Sequence, residues 1–318
     1  MNLAKLENTI ERFLKKLSSE KKSKHTILNY SSCLNNFLVY IRKNEYDADF
    51  DFKQVVFDYI DDMDPDYSVN TLNTKRNILK SLIVYMHNRS YIDENFAGNI
   101  KLIRKHSAAK KQVLEPHEIK AILDVLEKDI EDASGYNLYH KVRNRFLFMM
   151  MIFTGMRRSE IVSLKWSDVN TRSNEITVLG KGSKERIVPL KRDIRYEYLD
   201  FKDLIAEFES KGYNMDSPYI FRSEHKDKKS GAKSSHMHPK NVENIINSIV
   251  KRAGIDKKIT PHNLRHNFAS YALKSGMSIP SLSAILGHSS PDITMKIYAH
   301  EISMDERKKE MKKLDFGI

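Results

Sequence analysis

Apolar positions recur at helical spacing from the first residues of the chain. Leu3, Leu6, Ile10, Phe13, Leu14 and Leu17 fall three to four apart, and Ile27, Tyr30, Leu34, Phe37, Leu38 and Ile41 repeat the pattern. Each set predicts an amphipathic helix. Segments 52–63 and 69–88 carry the same periodicity, with Asp64-Pro65-Asp66 between them as turn chemistry. Residues 1–105 therefore predict a small four-helix bundle. The stretch from Ile103 to Gln112 is basic and lacks apolar periodicity, which predicts an exposed connection between domains, with the linker at 106–112.

Beyond it, Glu115-Pro116 predicts a helix start with proline in the first turn, and Tyr139 to Phe153 a second helix ending at Thr154-Gly155. The run Phe146 to Phe153, with three consecutive methionines, suits a buried central helix better than a partner surface. Two β-branched runs, Glu175 to Leu179 and Arg186 to Leu190, flank the glycine-containing turn Gly180-Lys-Gly-Ser-Lys-Glu185 and predict a β-hairpin. Residues 223–240 are rich in Ser, Lys, His and Gly and predict a basic loop before a helix at Val242 to Arg252. The expected fold is mainly α: a helical bundle at 1–105, and a mostly helical domain with a small hairpin at 113–318.

A chain of 318 residues is long enough for two domains, each with its own core. Its 54 Lys and Arg exceed 42 Asp and Glu, a formal charge of +12, so a polyanionic partner is plausible without being specified. The charge is uneven. Residues 45–66 hold nine acidic residues and one lysine, whereas 67–92 hold Lys75, Arg76, Lys80 and Arg89 and no acid. One face of the bundle could meet DNA, or these could be ordinary solvated helix faces. The single cysteine, Cys33, excludes an intrachain disulfide framework and a cysteine-based zinc site, which points to an intracellular, cytoplasmic setting. No apolar run approaches the roughly 20 residues of a membrane-spanning helix, and the N-terminus does not read as a signal peptide.

Breaking a phosphodiester without metal needs a nucleophile, cationic donors for the pentacoordinate transition state and an acid for the leaving oxygen. The C-terminal two thirds supplies all three residue types. Thr154-Gly-Met-Arg157-Arg158-Ser-Glu160-Ile puts Arg157 just after a tight turn, at a helix start that also favours an anion. His262-Asn-Leu-Arg265-His266 sets His262 and Arg265 three apart, so both can face one ligand. Leu286-Gly287-His288 then precedes Tyr298 and His300.

These motifs, in this order, resemble the tyrosine recombinases, the family that includes Xer-type recombinases and phage or mobile-element integrases. The resemblance covers nearly all of the second domain, through the Thr-Gly-x-Arg-x-Ser-Glu box, the Gly-Lys-Gly hairpin, the His-x-x-Arg-His box, Leu-Gly-His, and the tyrosine followed by x-His. It implies that Arg157 and Arg265 grip the nonbridging oxygens of the scissile phosphate, a task suited to planar guanidinium forks. It further implies that Lys181 protonates the departing 5′ oxygen, that His262 and His288 assist proton transfer and bond the phosphate, and that Tyr298 attacks. The implied product is a 3′-phosphotyrosyl bond with a free 5′ hydroxyl, made without a nucleotide cofactor. The implied partner is a double-stranded DNA recombination site, engaged by a tetramer. More loosely, the first domain resembles the family's SAM-like core-binding domain, although Asn95-Phe96-Ala97 stands where many relatives have Asn-Pro. The basic faces of residues 12–43 and 67–92 are then expected to meet DNA.

Bland readings stand beside these. Arg157 could cap a helix or pair with Glu160, His288 could be a buried turn histidine, and Tyr298 could pack in a helix. Lys184 shares the turn with Lys181, though the position between two glycines favours Lys181. Arg158 and His266 are expected to support rather than to react. His225, His236 and His238 lie in a polar loop without ligand-spaced partners, so no bound metal is expected. The charged segment from Glu301 to Ile318, with few apolar anchors, is a candidate tail for docking on a neighbouring subunit. Two other functions share the fold: a type IB topoisomerase-like enzyme and a non-cleaving DNA-binding protein. Integration or excision of mobile DNA and resolution of chromosome or plasmid dimers share the same chemistry, and the sequence does not separate them.

Overall fold

Helix starts in the N-terminal part are written into polar side chains. Asn2, Ser23, Asp51 and Ser68 each accept a hydrogen bond from a backbone N–H in the first turn of the helix that follows. They open α1 (Leu3–Ser19), α2 (Lys24–Lys43), α3 (Phe52–Asp61) and α4 (Val69–Asn88), so all four helices expected from periodicity form. The structure is a computed structural model that describes residues 1–46, 49–63, 65–104, 112–180, 184–224 and 235–298. The chain divides into two units, Met1–Ala109 and Lys110–Ile318.

In the first unit the apolar stripes of the four helices meet, with Leu6, Leu34, Phe37, Val56, Leu79, Leu82 and Ile83 all removed from solvent. Cys33 lies in this core, where burial pushes its thiol up to about 11, which suits packing rather than reactivity. Several of the basic residues on α4 are engaged locally. Arg76 donates to the Lys101 carbonyl at 2.7 Å and Lys80 to that of Ile100 at 3.2 Å, while Lys75 stands over the Tyr67 ring. The two carbonyl bonds fasten the segment after α4 to the helix.

In the second unit a capping box between Glu115 and Glu118 opens α5 (Pro116–Glu131), which packs on α6 (Tyr136–Thr154). Buried on nearly every face, α6 carries Phe146 to Ile152, its three methionines included, through the middle of the core. The short α7 (Arg158–Val162) follows. The expected hairpin forms as β2 (Glu175–Leu179) and β3 (Glu185–Pro189), antiparallel, with Ile176 opposite Val188 and Val178 opposite Arg186. A two-residue strand, β1 (Val169–Asn170), adds to β2, so the sheet has three strands in the order β1-β2-β3.

The remaining helices are α8 (Arg192–Ser210), α9 (Pro239–Arg252), α10 (Pro261–Lys274), α11 (Ile279–Leu286) and α12 (Pro291–Tyr298). Only the second of these matches a helix drawn from periodicity, and it begins at Pro239, ahead of the expected Val242, because the His238 ring accepts the Lys240 N–H and caps it. The expected basic loop is therefore shorter at its end, and its centre, residues 225–234, lies outside the described residues. So do residues 105–111, Lys181 and everything from 299 onward. Among the described residues no helix is long and apolar enough to cross a membrane.

Candidate active site

Two glycine turns and one helix start bring distant parts of the second unit together. At the end of α6 the chain turns through Gly155, whose φ of 62° is left-handed. A Cβ there would sit 2.4 Å from Cδ1 of Phe268, so the turn closes directly against α10. Two residues later Arg157 stands at the start of α7. At the end of α11, Gly287 is likewise left-handed, with φ of 65°, and sends His288 back toward α10. Thr260 caps α10 and aligns His262, Arg265 and His266 in its first turns. Asn267, fully buried, bonds both the N–H and the C=O of Leu114, and Tyr271 donates to the same carbonyl, which fixes α10 beneath the site.

Arg157 and Arg265 converge on one point. Both donate to the Leu286 carbonyl, Arg265 Nη2 at 2.7 Å and Arg157 Nη1 at 3.4 Å. Arg265 also donates to the Gly155 carbonyl at 2.8 Å, and Arg157 to that of Gly287 at 3.2 Å. Burial and the neighbouring Arg157 charge lower the Arg265 guanidinium to about 10, which leaves it cationic at neutral pH. His288 is half-buried beside them. Burial first, then the charges of Arg265, Arg157, Arg186 and His262, lower its imidazole to about 4, so it is neutral at pH 7, with Nδ1 2.7 Å from the Thr294 hydroxyl.

Behind Arg157 lies Glu160, nearly buried, which accepts the Arg157 backbone N–H at 2.7 Å and its Nη1 at 2.9 Å. The suspected pairing of these two residues is real, yet it leaves the rest of the guanidinium turned to the Gly287 carbonyl. Arg186 of β3 completes the arrangement with two bonds to Glu160, at 3.0 and 2.7 Å. Burial would raise the Glu160 carboxyl, but Arg186 and the Arg157 N–H overcome it and hold the group below the usual carboxylate range.

Tyr298 ends α12 and is 2 % exposed, packed with Ala269, Leu273, Leu282 and Leu286. Its hydroxyl lies 2.6 Å from Nδ1 of His266, whose ring meets that of His262 edge-on at 4.5 Å. Helix packing and a polar tether thus coexist at this tyrosine. His266, expected only to support, is hydrogen-bonded to the phenol. Of the six expected site residues, Arg157, His262, Arg265, His288 and Tyr298 are gathered around α10 and the turn after α11. Lys181 falls outside the described residues, although the Gly180 N–H bonds the Lys184 carbonyl across the hairpin turn at 2.8 Å.

Arg186 and Thr294, which bond Glu160 and His288, lie outside the motifs read from the sequence. One signal was available for the first: alternation along β3 sets Arg186 on the same face as buried Val188, an unusual side for a charge. Nothing local marks Thr294. The other loop histidines that are described have structural partners, His236 with the Met237 carbonyl and His238 as the cap of α9. Among the described residues no group of three His, Cys, Asp or Glu is disposed to hold a metal.

Comparison with known proteins agrees over almost the whole chain. Residues 112–304 match the Phage integrase family and residues 10–90 the Phage integrase N-terminal SAM-like domain. The chain is similar to "Tyrosine recombinase XerA" of Pyrococcus furiosus, 28% identical over 287 residues that cover 90% of this chain and 87% of that protein. It is equally similar to "Tyrosine recombinase XerD" of Rickettsia bellii, 28% identical over 303 residues, 92% of this chain and 93% of that one. Among solved structures, the XerH site-specific recombinase bound to difH substrate shares the fold with a TM-score of 0.67 at 22% identity, over 96% of this chain and 83% of that one. The Tn1549 transposon integrase in complex with transposon right end DNA has a TM-score of 0.67 at 18% identity, over 99% of each chain. With the match to residues 112–304 spanning more than half its length, and the SAM-like domain matched ahead of it, this chain belongs to the phage integrase family.

Proposed function

We propose that this protein is a site-specific tyrosine recombinase that cuts and rejoins double-stranded DNA through a 3′-phosphotyrosyl intermediate. The observation that carries the reading is the convergence of Arg157 and Arg265 on the Leu286 carbonyl, beside neutral His288. Two guanidinium groups that share one oxygen acceptor in the free protein are preorganised for two oxygens of a phosphate.

In this reading the Tyr298 oxygen attacks phosphorus and the P–O5′ bond breaks. The phenol proton leaves to a histidine of the site, and Lys181 donates the proton that the departing 5′ oxygen needs. Arg157 and Arg265 meet the charge that builds on the nonbridging oxygens, and His262 and His288 donate to the same phosphate. Attack by a 5′ hydroxyl of another strand reverses the step, so neither a nucleotide cofactor nor a metal is consumed. With an ordinary pKa of about 10, a phenol depends on such cationic surroundings to react at neutral pH.

The basic balance of the chain, +12, supports a DNA duplex as partner, with residues 1–105 as a core-binding domain, a linker at 106–112 and the catalytic domain from 113. A tetramer on two DNA sites, acting in the cytoplasm, completes the proposal.

The test is covalent trapping. Wild-type protein and Tyr298→Phe are incubated with nicked duplexes carrying candidate sites and run on denaturing gels. A protein-linked strand formed by the wild type and absent from Tyr298→Phe is expected. Specific binding to the same duplexes with no adduct from either protein would overturn the reading in favour of a non-cleaving DNA-binding protein.

A further inference from the structure

Arg186 is a charged group of this neighbourhood that the proposed reaction does not use. It sits at the second position of β3 with its side chain 10% exposed. Three of the five N–H donors of its guanidinium are spent inside the protein. Nη1 and Nη2 bond Oε1 and Oε2 of Glu160 at 3.0 and 2.7 Å, and Nε bonds the Ile285 carbonyl at 2.7 Å. Its aliphatic stem lies along the left-handed turn at Gly287, where a Cβ would come within 2.8 Å of Arg186 Cδ. One side chain therefore ties together the β3 strand, the Arg157–Glu160 pair and the turn that carries His288.

The division of Glu160 between two arginines is unequal. Arg186 takes both carboxylate oxygens face-on, whereas Arg157 reaches Oε1 with one nitrogen and turns the other to the Gly287 carbonyl. A buried carboxylate must keep a cation close, because leaving it uncompensated is strongly unfavourable. Without Arg186, only Arg157 of these two would remain to compensate Glu160, and the face-on fork would be its best geometry. That movement would draw Arg157 away from the point it shares with Arg265.

We propose that Arg186 is a positioning residue: by occupying Glu160 face-on it keeps that carboxylate from capturing Arg157, so Arg157 stays available for the scissile phosphate. The proposal rests on the recombinase reading above. Arg186 acts through Glu160 and does not itself grip the DNA.

The experiment uses the full chain and a nicked duplex on which the wild type forms its covalent adduct. Arg186→Met, Arg186→Lys, Glu160→Gln and the double variant Glu160→Gln/Arg186→Met are compared for single-turnover rate of adduct formation, DNA affinity and melting temperature. Arg186→Met is expected to bind DNA as the wild type does and to form adduct more slowly by about 100-fold, the loss that an ångström-scale displacement of a phosphate donor produces. Arg186→Lys, which keeps the charge and loses the fork, is expected to bind DNA as the wild type and to be slowed as well, with a melting temperature between those of Arg186→Met and the wild type. In the Glu160→Gln background, where no carboxylate competes for Arg157, Arg186→Met is expected to add little further loss.

Wild-type rates in Arg186→Met, or in Arg186→Lys if the former does not fold, would overturn the proposal. So would fully additive losses in the double variant, or a fall in DNA affinity as large as the fall in rate, which would mean direct phosphate contact. Absence of adduct from the wild type itself would overturn the recombinase reading instead, and the two failures are told apart by that control.

Discussion

At the scale of the residue, the charges of this site set its response to pH. The His288 imidazole is lowered to about 4 from an ordinary 6.5, by burial and by the surrounding arginines. Between those two values the unfolded chain binds a proton at this position that the folded chain refuses. His288 therefore contributes an acid sensitivity: stability rises with pH through this window and falls as pH is lowered from about 6.5 toward 4. Melting temperatures measured over that range should decline less steeply in His288→Asn than in the wild type, and equal slopes would refute the assignment. A ring-resonance titration should find His288 neutral until pH approaches about 4. Legibility divides at the same scale. Arg157, His262, Arg265, His288 and Tyr298 were readable because their motifs are short and ordered along the chain. Glu160 was in view only as a partner for Arg157, and its bonds to Arg186 join residues 26 apart in sequence, which no local pattern reports. The bond from His266 to Tyr298, 32 residues apart, was hidden for the same reason.

At the scale of the element, the site is a product of how helices end. Gly155 closes α6 in a left-handed turn packed against Phe268, so a side chain there meets both backbone strain and a collision. Gly155→Ala is expected to destabilise the protein by about 2–4 kcal/mol, from the left-handed penalty plus overpacking, as read from denaturant midpoints. Gly287→Ala should be milder in stability and severe in adduct formation, because its Cβ presses on the Arg186 stem. At the other end of a helix, Ser68→Ala removes the cap of α4 and should cost about 1 kcal/mol in the same assay. Periodicity revealed α1 to α4 clearly, since each has one apolar stripe and a solvated face. It revealed α6 through sheer apolar density. By contrast α8 went unread although Ile194, Tyr198, Phe201 and Phe208 lie on its buried side, because acidic and basic residues separate them. The short α7, α11 and α12 have too few turns for a period to emerge, and β1 pairs over only two residues.

At the scale of the whole molecule, the division into Met1–Ala109 and Lys110–Ile318 matters because each unit closes its own core. A fragment ending at residue 104 is therefore expected to fold by itself, with a cooperative thermal transition in circular dichroism. A featureless melt would show that the first core is insufficient alone. With a charge of +12 the intact protein should bind duplex DNA with steep salt dependence, and a flat response between about 50 and 200 mM salt would contradict phosphate neutralisation as the source of affinity. Arg265 is held by the carbonyls of Gly155 and Leu286, at the C-terminal ends of α6 and α11. Carbonyl dipoles fix its direction and offset its charge only in part, where a carboxylate bonded to it would have cancelled it. If the Arg265 socket takes the phosphate in the proposed reaction, it should also take other tetrahedral oxyanions: sulfate or inorganic phosphate is expected to raise the melting temperature and to slow DNA cleavage as a simple competitor.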